Sequence, residues 1–322
     1  MKAAIRVQYG RPESITIQDI AIPTPKDNEV LVQVFATTVN RTDCAILTGK
    51  PFVIRFFSGL FKPRFPSTGT DFAGKVAAVG KKVSKFRVGD RVWGFNDTGL
   101  GSHAQYIAVP ENMAMLSIPE GITYEQAAAS AEGAHYAYYF LSKVKVAPND
   151  KVLVNGATGA IGSATVQFLK YYGAHVTAVC STEHIETVKG LGANVVIDYT
   201  QEDFTTENEK YRYVFDSVGK STFARCKPIL EDGGIYMSSE LGPGMENTYL
   251  PLITTIKGGK KVKFPIPFNI MKSLVFIKRL LESNQFRPLI DRAYPLEKIE
   301  EAFYYVNSGQ KTGNVLITFE EE

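Results

Sequence analysis

Lys151-Val-Leu-Val-Asn-Gly-Ala-Thr-Gly-Ala-Ile-Gly162 is the stretch on which the reading of this chain turns. An apolar run, Val152 to Val154, leads into Gly156, Ala157, Thr158, Gly159, Ala160, Ile161 and Gly162, and then into the helix-like segment Ser163–Tyr172. That order predicts strand, tight turn, helix. Glycines let the backbone turn sharply and come close to a ligand, and the helix start offers free N–H groups and a positive dipole end to phosphate. A second apolar strand, His175–Cys180, completes a βαβ unit suited to a dinucleotide. A glycine-rich turn alone can be no more than a turn; the strand before it and the helix and strand after it make the difference. The spacing Ala157-x-Gly159-x-x-Gly162 has alanine where glycine is usual, which the turn tolerates if the alanine φ is negative.

The end of the second strand bears on which dinucleotide fits. An NAD site places an acid there for the ribose 2′-hydroxyl. Here Cys180 occupies that place, followed by Ser181 and Thr182, whose hydroxyls suit a 2′-phosphate. NADPH is therefore expected over NADH. Glu183 lies close by but reads as an ordinary first-turn acid of the next helix. His184 and Lys189 either add positive charge or are solvated helix residues.

With 322 residues the chain has room for two domains. Hydrophobic content of 44% with 21% charged residues is that of a globular protein, and a net charge of +3 argues for neither nucleic acid nor an anionic membrane. The start, Met1-Lys-Ala-Ala-Ile-Arg-Val7, lacks an apolar leader core, and no segment is apolar for long enough to span a bilayer. Cys44, Cys180 and Cys226 are too far apart for a disulfide framework or a metal spacing. These features point to the cytoplasm.

Residues 1 to about 118 read as short strands broken by turns: Ala3–Val7, Ser14–Asp19, Val30–Val39, Thr70–Val79, Arg91–Phe95 and Ala104–Val109. From Tyr124 strands alternate with helices. Tyr124–Lys143 has helical composition. Val195–Ile197, Tyr213–Val218 and Gly234–Ser238 read as buried strands, and Ser221–Leu230 as helix, giving a doubly wound parallel sheet. A helix over Ile270–Ser283 and a strand over Asn314–Phe319 close the chain. Between Pro51 and Phe65, Phe52, Phe56, Phe57, Phe61 and Phe65 interleave with Arg55, Lys62 and Arg64. Packing on its own domain accounts for this segment somewhat better than a substrate entrance or lid, and single-stranded nucleic acid has little support.

Several motifs occur together and in order: Gly69-Thr-Asp-Phe-Ala-Gly74, Val88-Gly-Asp-Arg-Val-Trp-Gly94, the glycine turn, Tyr294-Pro-Leu-Glu-Lys-Ile-Glu-Glu-Ala-Phe303 and Gly309-Gln-Lys-Thr-Gly-Asn-Val-Leu-Ile317. The chain resembles, over nearly its whole length, the medium-chain dehydrogenase/reductase superfamily in its zinc-independent, quinone oxidoreductase-like branch. The resemblance implies a β-rich GroES-like catalytic domain from both chain ends, 1–118 and 266–322. A Rossmann domain, 119–265, is implied between them, with the active site in the cleft between the two and a homodimer formed through the Rossmann domain.

Zinc-dependent relatives hold the catalytic metal with a Cys in the segment matching Val39–Ala45 and with a Gly-His-Glu motif. This chain has Asn40 and Gly69-Thr70-Asp71 at those places, and no cysteine lies between Val92 and Met115, where the structural zinc would sit. No metal is expected. Without a Lewis acid to hold alkoxide charge, the expected acceptor is already electrophilic: a quinone, or an alkene conjugated to a carbonyl. A metal-free NADP-dependent alcohol dehydrogenase and a non-catalytic NADPH-binding regulatory protein are the alternatives.

The resemblance also implies roles for particular residues. Asn40 and Asp43 match the family's Asn-x-x-Asp segment, with Arg41 where Pro is frequent; pairing within its own domain explains Asp43 as well. Ser181 and Tyr199 fall at the 2′-phosphate. Val218 and Gly219 fall at the cofactor ribose, and Ser238 and Ser239 near the nicotinamide. Lys311 and Asn314 fall in a cleft-facing segment, which a surface turn explains nearly as well. His135 and Tyr136, standing where relatives carry a threonine, are both able to donate a proton, and ordinary aromatic packing accounts for them equally well.

Overall fold

The computed structural model describes residues 1–266 and 269–320, so that 267–268 and 321–322, which the expected segment 266–322 includes, lie outside the described residues. The chain divides into two compact units, Met1–Glu132 with Asn269–Glu322, and Gly133–Phe268.

The first unit is β-rich. A small antiparallel pair, β1 (Lys2–Ile5) and β2 (Thr16–Asp19), precedes the central strand β3 (Glu29–Val39). Then come α1 (Arg41–Thr48), the single-turn helix α2 (Arg55–Ser58), β4 (Asp71–Val79), β5 (Arg91–Phe95), β6 (Tyr106–Pro110), β7 (Met115–Ser117) and α3 (Tyr124–Ala129). From Val30 to Val39 only Gln33 and two threonines interrupt β3's apolar run, because the strand is paired on both sides. On one side it pairs with β4; on the other it meets β6 through Glu29–Gln33 and a later strand through Ala36–Val39. Val30, Val32 and Val34 pack there with Phe72, Val76, Val92 and Ile107.

The second unit is a parallel sheet wound on both faces. After α4 (Glu132–Ser142) it runs β8 (Lys151–Asn155), α5 (Ala160–Tyr171), β9 (His175–Cys180), α6 (Ile185–Gly190), β10 (Val195–Asp198), β11 (Tyr211–Asp216), α7 (Phe223–Cys226), β12 (Leu230–Ser238), α8 (Glu246–Lys257) and β13 (Lys261–Lys263). The strand order is β10-β9-β8-β11-β12-β13, parallel throughout. The order reverses at β8, so the carboxyl ends of β8 and β11 flank the natural ligand crevice.

The chain then returns to the first unit as α9 (Ile270–Glu282), β14 (Ile290–Pro295), α10 (Ile299–Ser308) and β15 (Asn314–Thr318). β15 runs antiparallel to the end of β3, and α10 covers that part of the sheet through Ile299, Ala302 and Phe303 against Leu47, Val39 and Ile317.

Three local expectations change. The helix expected over Tyr124–Lys143 is two helices: Thr123 caps the first by accepting from Gln126 N–H, and it stops at Ser130 after packing on β3 and β4. This first helix lies within the first unit, which runs to Glu132. The helix expected over Ser221–Leu230 is one turn of α7 and a 3-10 turn, since Pro228 lacks the N–H to continue it. Finally, α8 and β13 form where no element was expected.

Candidate active site

In the second unit the turn after β8 is shaped by its glycines. Gly156 has φ of 75°, a conformation that costs an L-residue strain. A Cβ on Gly162 would lie 2.1 Å from the Gly156 carbonyl oxygen, so α5 packs against the turn with no room for a side chain. Ala157 is not among the described residues with positive φ, and its N–H donates to the Val179 carbonyl at 3.1 Å, which is why alanine serves there. Gly159 is the N-cap of α5, and no side chain caps it. The helix start is left to a ligand, and its N–H groups with their dipole suit a pyrophosphate.

The loop after β11 is organised by a residue that was not singled out from the sequence. Asp216 is fully buried, and its Oδ1 accepts from Asn155 Nδ2 at 3.0 Å, Gly219 N–H at 2.9 Å and Val218 N–H at 3.3 Å. Its Oδ2 accepts from Ser221 N–H at 3.0 Å and the Tyr236 hydroxyl at 3.2 Å. The carboxylate thus locks Val218 and Gly219 beside the glycine turn, where Val218 fills the space a Cβ on Gly156 would need. The Asp216 carbonyl in turn accepts from Ser239 N–H at 3.0 Å, tying the end of β12 to the same point.

At the far edge, Tyr199 is exposed and its N–H donates to the Cys180 carbonyl at 3.1 Å, which puts it beside the end of β9 and Ser181. The Thr182 hydroxyl is held by Asp198, which keeps that carboxyl below the usual range, so Thr182 is less available than Ser181. Ser181 Oγ points at Glu183 Oε1 at 3.4 Å, a long contact that a stronger acceptor would displace.

Tyr136 and Ser239 share one small pocket of about 180 Å³ with Phe140, Phe264, Pro265 and Ile266. The Ser239 Oγ is buried without a partner, whereas Ser238 accepts from Glu240 N–H at 3.2 Å and is spent within the strand end. His135 is fully buried between the Tyr136 and Tyr139 rings, and burial pushes its imidazole down to about 4. That is the setting of a core histidine, whereas Tyr136 lines the pocket.

The first unit holds its own polar cluster. Asn40 is buried at the start of α1, and its Nδ2 donates to Thr38 Oγ1, whose hydroxyl in turn donates to Asp71. Asp43 Oδ2 accepts from Asn40 N–H at 2.9 Å, which caps α1. Burial, with Glu132 and Asp71 nearby, pushes the Asp43 carboxyl well above the usual range. Asp71 is raised to about 6 by burial, against the hydrogen bonds from Thr38. Glu132, another residue not singled out earlier, accepts from Thr70 Oγ1 at 2.8 Å and is raised to about 8, chiefly by burial. Lys311 is half-buried, with Nζ donating to the Gly313 carbonyl at 2.6 Å; burial lowers it to about 8, with Glu132 pulling the other way. Asn314 is buried with Nδ2 on the Leu289 carbonyl at 3.0 Å, joining β15 to the loop before β14.

Residues 26–120 match the family described as alcohol dehydrogenase GroES-like domain, and 191–317 match the family described as zinc-binding dehydrogenase. The chain is 31% identical to 2-methylene-furan-3-one reductase of Solanum lycopersicum, over 98% of this chain and 79% of that protein. It is also 31% identical to the chloroplast envelope quinone oxidoreductase homolog of Arabidopsis thaliana, over 92% of each. The chain belongs to the medium-chain dehydrogenase/reductase superfamily, in its quinone oxidoreductase-like branch. The fold agrees: the structure of Escherichia coli quinone oxidoreductase complexed with NADPH superposes with a TM-score of 0.81 at 24% identity, over 99% of this chain and 100% of that one.

Zinc, which the second family description implies, does not fit the residues present. Asp71 is spent on Thr38, Asn40 supplies an amide, and among the described residues no three His, Cys, Asp or Glu side chains are grouped to hold a metal ion. A dinucleotide does fit: the uncapped start of α5 and the glycine-only contact at Gly162 make the cradle such a ligand needs.

Proposed function

We propose that this chain is an NADPH-dependent reductase that delivers hydride to a quinone or to an alkene conjugated with a carbonyl, without metal. The observation that carries the reading is the uncapped α5 start beside Gly156 and Gly162, together with Cys180 where an NAD site would put an acid. The names of the relatives, a furanone reductase and a quinone oxidoreductase, support the acceptor class.

The backbone N–H groups at Ala160, Ile161 and Gly162 take the pyrophosphate, with Ala157 and Thr158 forming the floor of the turn. Val218 and Gly219, fixed by Asp216, line the ribose. Ser181 and Tyr199 give hydroxyl hydrogen bonds to the 2′-phosphate, with Thr182 behind them. Bound cofactor supplies the hydride. Tyr136 holds the proton for the acceptor, and Ser239, whose Oγ has no partner, orients the nicotinamide edge. In the first unit Asn40 keeps its amide aimed through Thr38 and Asp71, while Asp43 holds the start of α1. Lys311 and Asn314 fix the turn before β15.

A homodimer belongs to the same reading. Tyr249, Leu252, Ile253 and Ile256, at helical spacing on α8, are 49%, 69%, 38% and 78% exposed beside the edge strand β13, a face a second copy would cover. Three buried, reduced cysteines accord with the cytoplasm, and among the described residues no helix is long and apolar enough to cross a membrane.

The test is NADPH oxidation by the purified chain against quinones, enals, enones and simple ketones. Turnover with the conjugated acceptors, unaffected by chelator, is expected. Turnover confined to simple ketones or alcohols, or none with any acceptor, refutes the reading.

A further inference from the structure

The whole-chain charge of +3 conceals a local concentration. Between Lys50 and Phe65 there are five phenylalanines, four basic residues and no acid. The structure turns four of these phenylalanines outward: Phe52, Phe56, Phe57 and Phe61 are 60%, 66%, 61% and 90% exposed, and Val53 and Leu60 are exposed beside them. Packing within the domain, the reading favoured from sequence, does not describe this segment.

The outward pose is built at its base. Ser58 is buried and shares a hydrogen bond with the Tyr9 hydroxyl at 2.9 Å, and Tyr9 also donates to the Gly59 carbonyl. Arg55 lies over the Tyr9 ring at 4.5 Å and donates to the Gly49 carbonyl at 3.2 Å, while Arg64 N–H donates to the Ser58 carbonyl at 2.7 Å. Arg55 is thus spent at the base of the segment. Lys50, Lys62 and Arg64 are exposed around the aromatic cluster, and none of them forms an ion pair among the described residues.

We infer that the Lys50–Phe65 segment is a docking surface for an anionic lipid bilayer, its phenylalanines entering the headgroup–acyl boundary and Lys50, Lys62 and Arg64 facing the lipid phosphates. The charge complementarity selects the occupant. A bilayer surface rewards cations without acids, together with aromatic rings that sit at the interface. The surface anchors reversibly and crosses nothing, so it needs no long helix. It is also independent of the reading of the reaction, because lipid binding is measured without substrate.

The experiment is flotation of the full chain with neutral phosphatidylcholine vesicles and with vesicles containing phosphatidylglycerol, with no cofactor or acceptor present. Binding to the anionic vesicles about a hundredfold tighter than to neutral ones is expected, roughly fivefold per exposed cation. Combined Phe56→Ser, Phe57→Ser and Phe61→Ser substitutions abolish binding to both, and Lys62→Glu with Arg64→Glu removes the preference for anionic lipid. Unchanged melting temperature and NADPH affinity show that the variants are folded. The inference is overturned by no flotation of the wild type, or by equal flotation of wild type and the phenylalanine variant. Retention on single-stranded oligonucleotides in place of vesicles overturns it too, as does a phenylalanine variant whose only change is a raised KM for a water-soluble quinone, which would make the segment a substrate lid.

Discussion

Replacing Asp216 by Asn keeps the shape of the side chain and removes its charge and half its acceptors. Five donors converge on this carboxylate, three on Oδ1 and two on Oδ2. An asparagine must turn its NH2 toward one set. Facing Oδ1's partners it opposes Asn155, Gly219 and Val218; facing Oδ2's it opposes Ser221 N–H and Tyr236. The second choice is cheaper, because the Tyr236 hydroxyl also has the Ser221 carbonyl at 3.3 Å to donate to. One buried N–H, that of Ser221, is then orphaned at about 1 to 3 kcal/mol, and the bonds left to the neutral amide lose about 1 kcal/mol more in charge assistance. The expected loss is about 2 to 4 kcal/mol, which at about 2 to 4 °C per kcal/mol lowers the melting temperature by roughly 4 to 16 °C. Because the same carboxylate holds Val218 and Gly219, the NADPH dissociation constant, read by titrating protein fluorescence, should rise about tenfold as the binding-competent loop becomes less populated. Tyr236→Phe, which removes one donor, should cost only about 1 kcal/mol. A melting temperature within a degree of wild type and an unchanged NADPH affinity in Asp216→Asn would refute this account of the loop.

Gly162→Ala puts a methyl 2.1 Å from the Gly156 carbonyl oxygen and should cost about 1 to 3 kcal/mol with loss of NADPH binding, whereas Gly159→Ala, whose methyl meets nothing nearer than 3.6 Å, should melt close to wild type. Ser181→Ala and Tyr199→Phe should each weaken NADPH about tenfold or more by isothermal titration, from about 1.5 to 3 kcal/mol per charge-assisted bond, and leave NADH unchanged; equal weakening of both cofactors would remove these residues from the 2′-phosphate. Glu132, raised to about 8, binds its proton more tightly folded than unfolded, so its contribution to stability is complete below its ordinary range and is lost as pH rises through about 8. Between pH 6 and 9 the wild type should therefore lose melting temperature relative to Glu132→Gln, which keeps an acceptor for Thr70; parallel curves would contradict a protonated Glu132.

What was legible in the sequence was local. The β8–α5 turn declares itself because its strand, its glycines and its helix are neighbours in the chain. The parallel sheet follows from repeats of the same pattern. Asp216 and Glu132 were not legible, because nothing near them in sequence reveals partners as distant as Asn155 and Thr70. His135 and Tyr136 are adjacent and chemically alike, and only the helix face separates a core imidazole from a phenol on a pocket. α8 escaped notice because Pro251 and paired threonines weaken its pattern, although Thr254 and Thr255 return their hydroxyls to the helix carbonyls. The phenylalanine segment was legible as a composition and misjudged in direction, since a hydrophobic residue's preference for burial is statistical and Tyr9 and Ser58 decide the pose here.

The pairing of β15 with β3 has a consequence for how the chain is made. A ribosome finishes the second unit's continuous 133–268 stretch while the first unit still lacks the strand that covers Ala36–Val39. Until Thr318 emerges, those residues present an open strand edge of the kind that recruits foreign strands. The nascent chain is thus most exposed to aggregation late in synthesis, with the nucleotide fold already formed. Removal of β15 should leave that fold able to bind NADPH on a protein whose N-terminal sheet never closes.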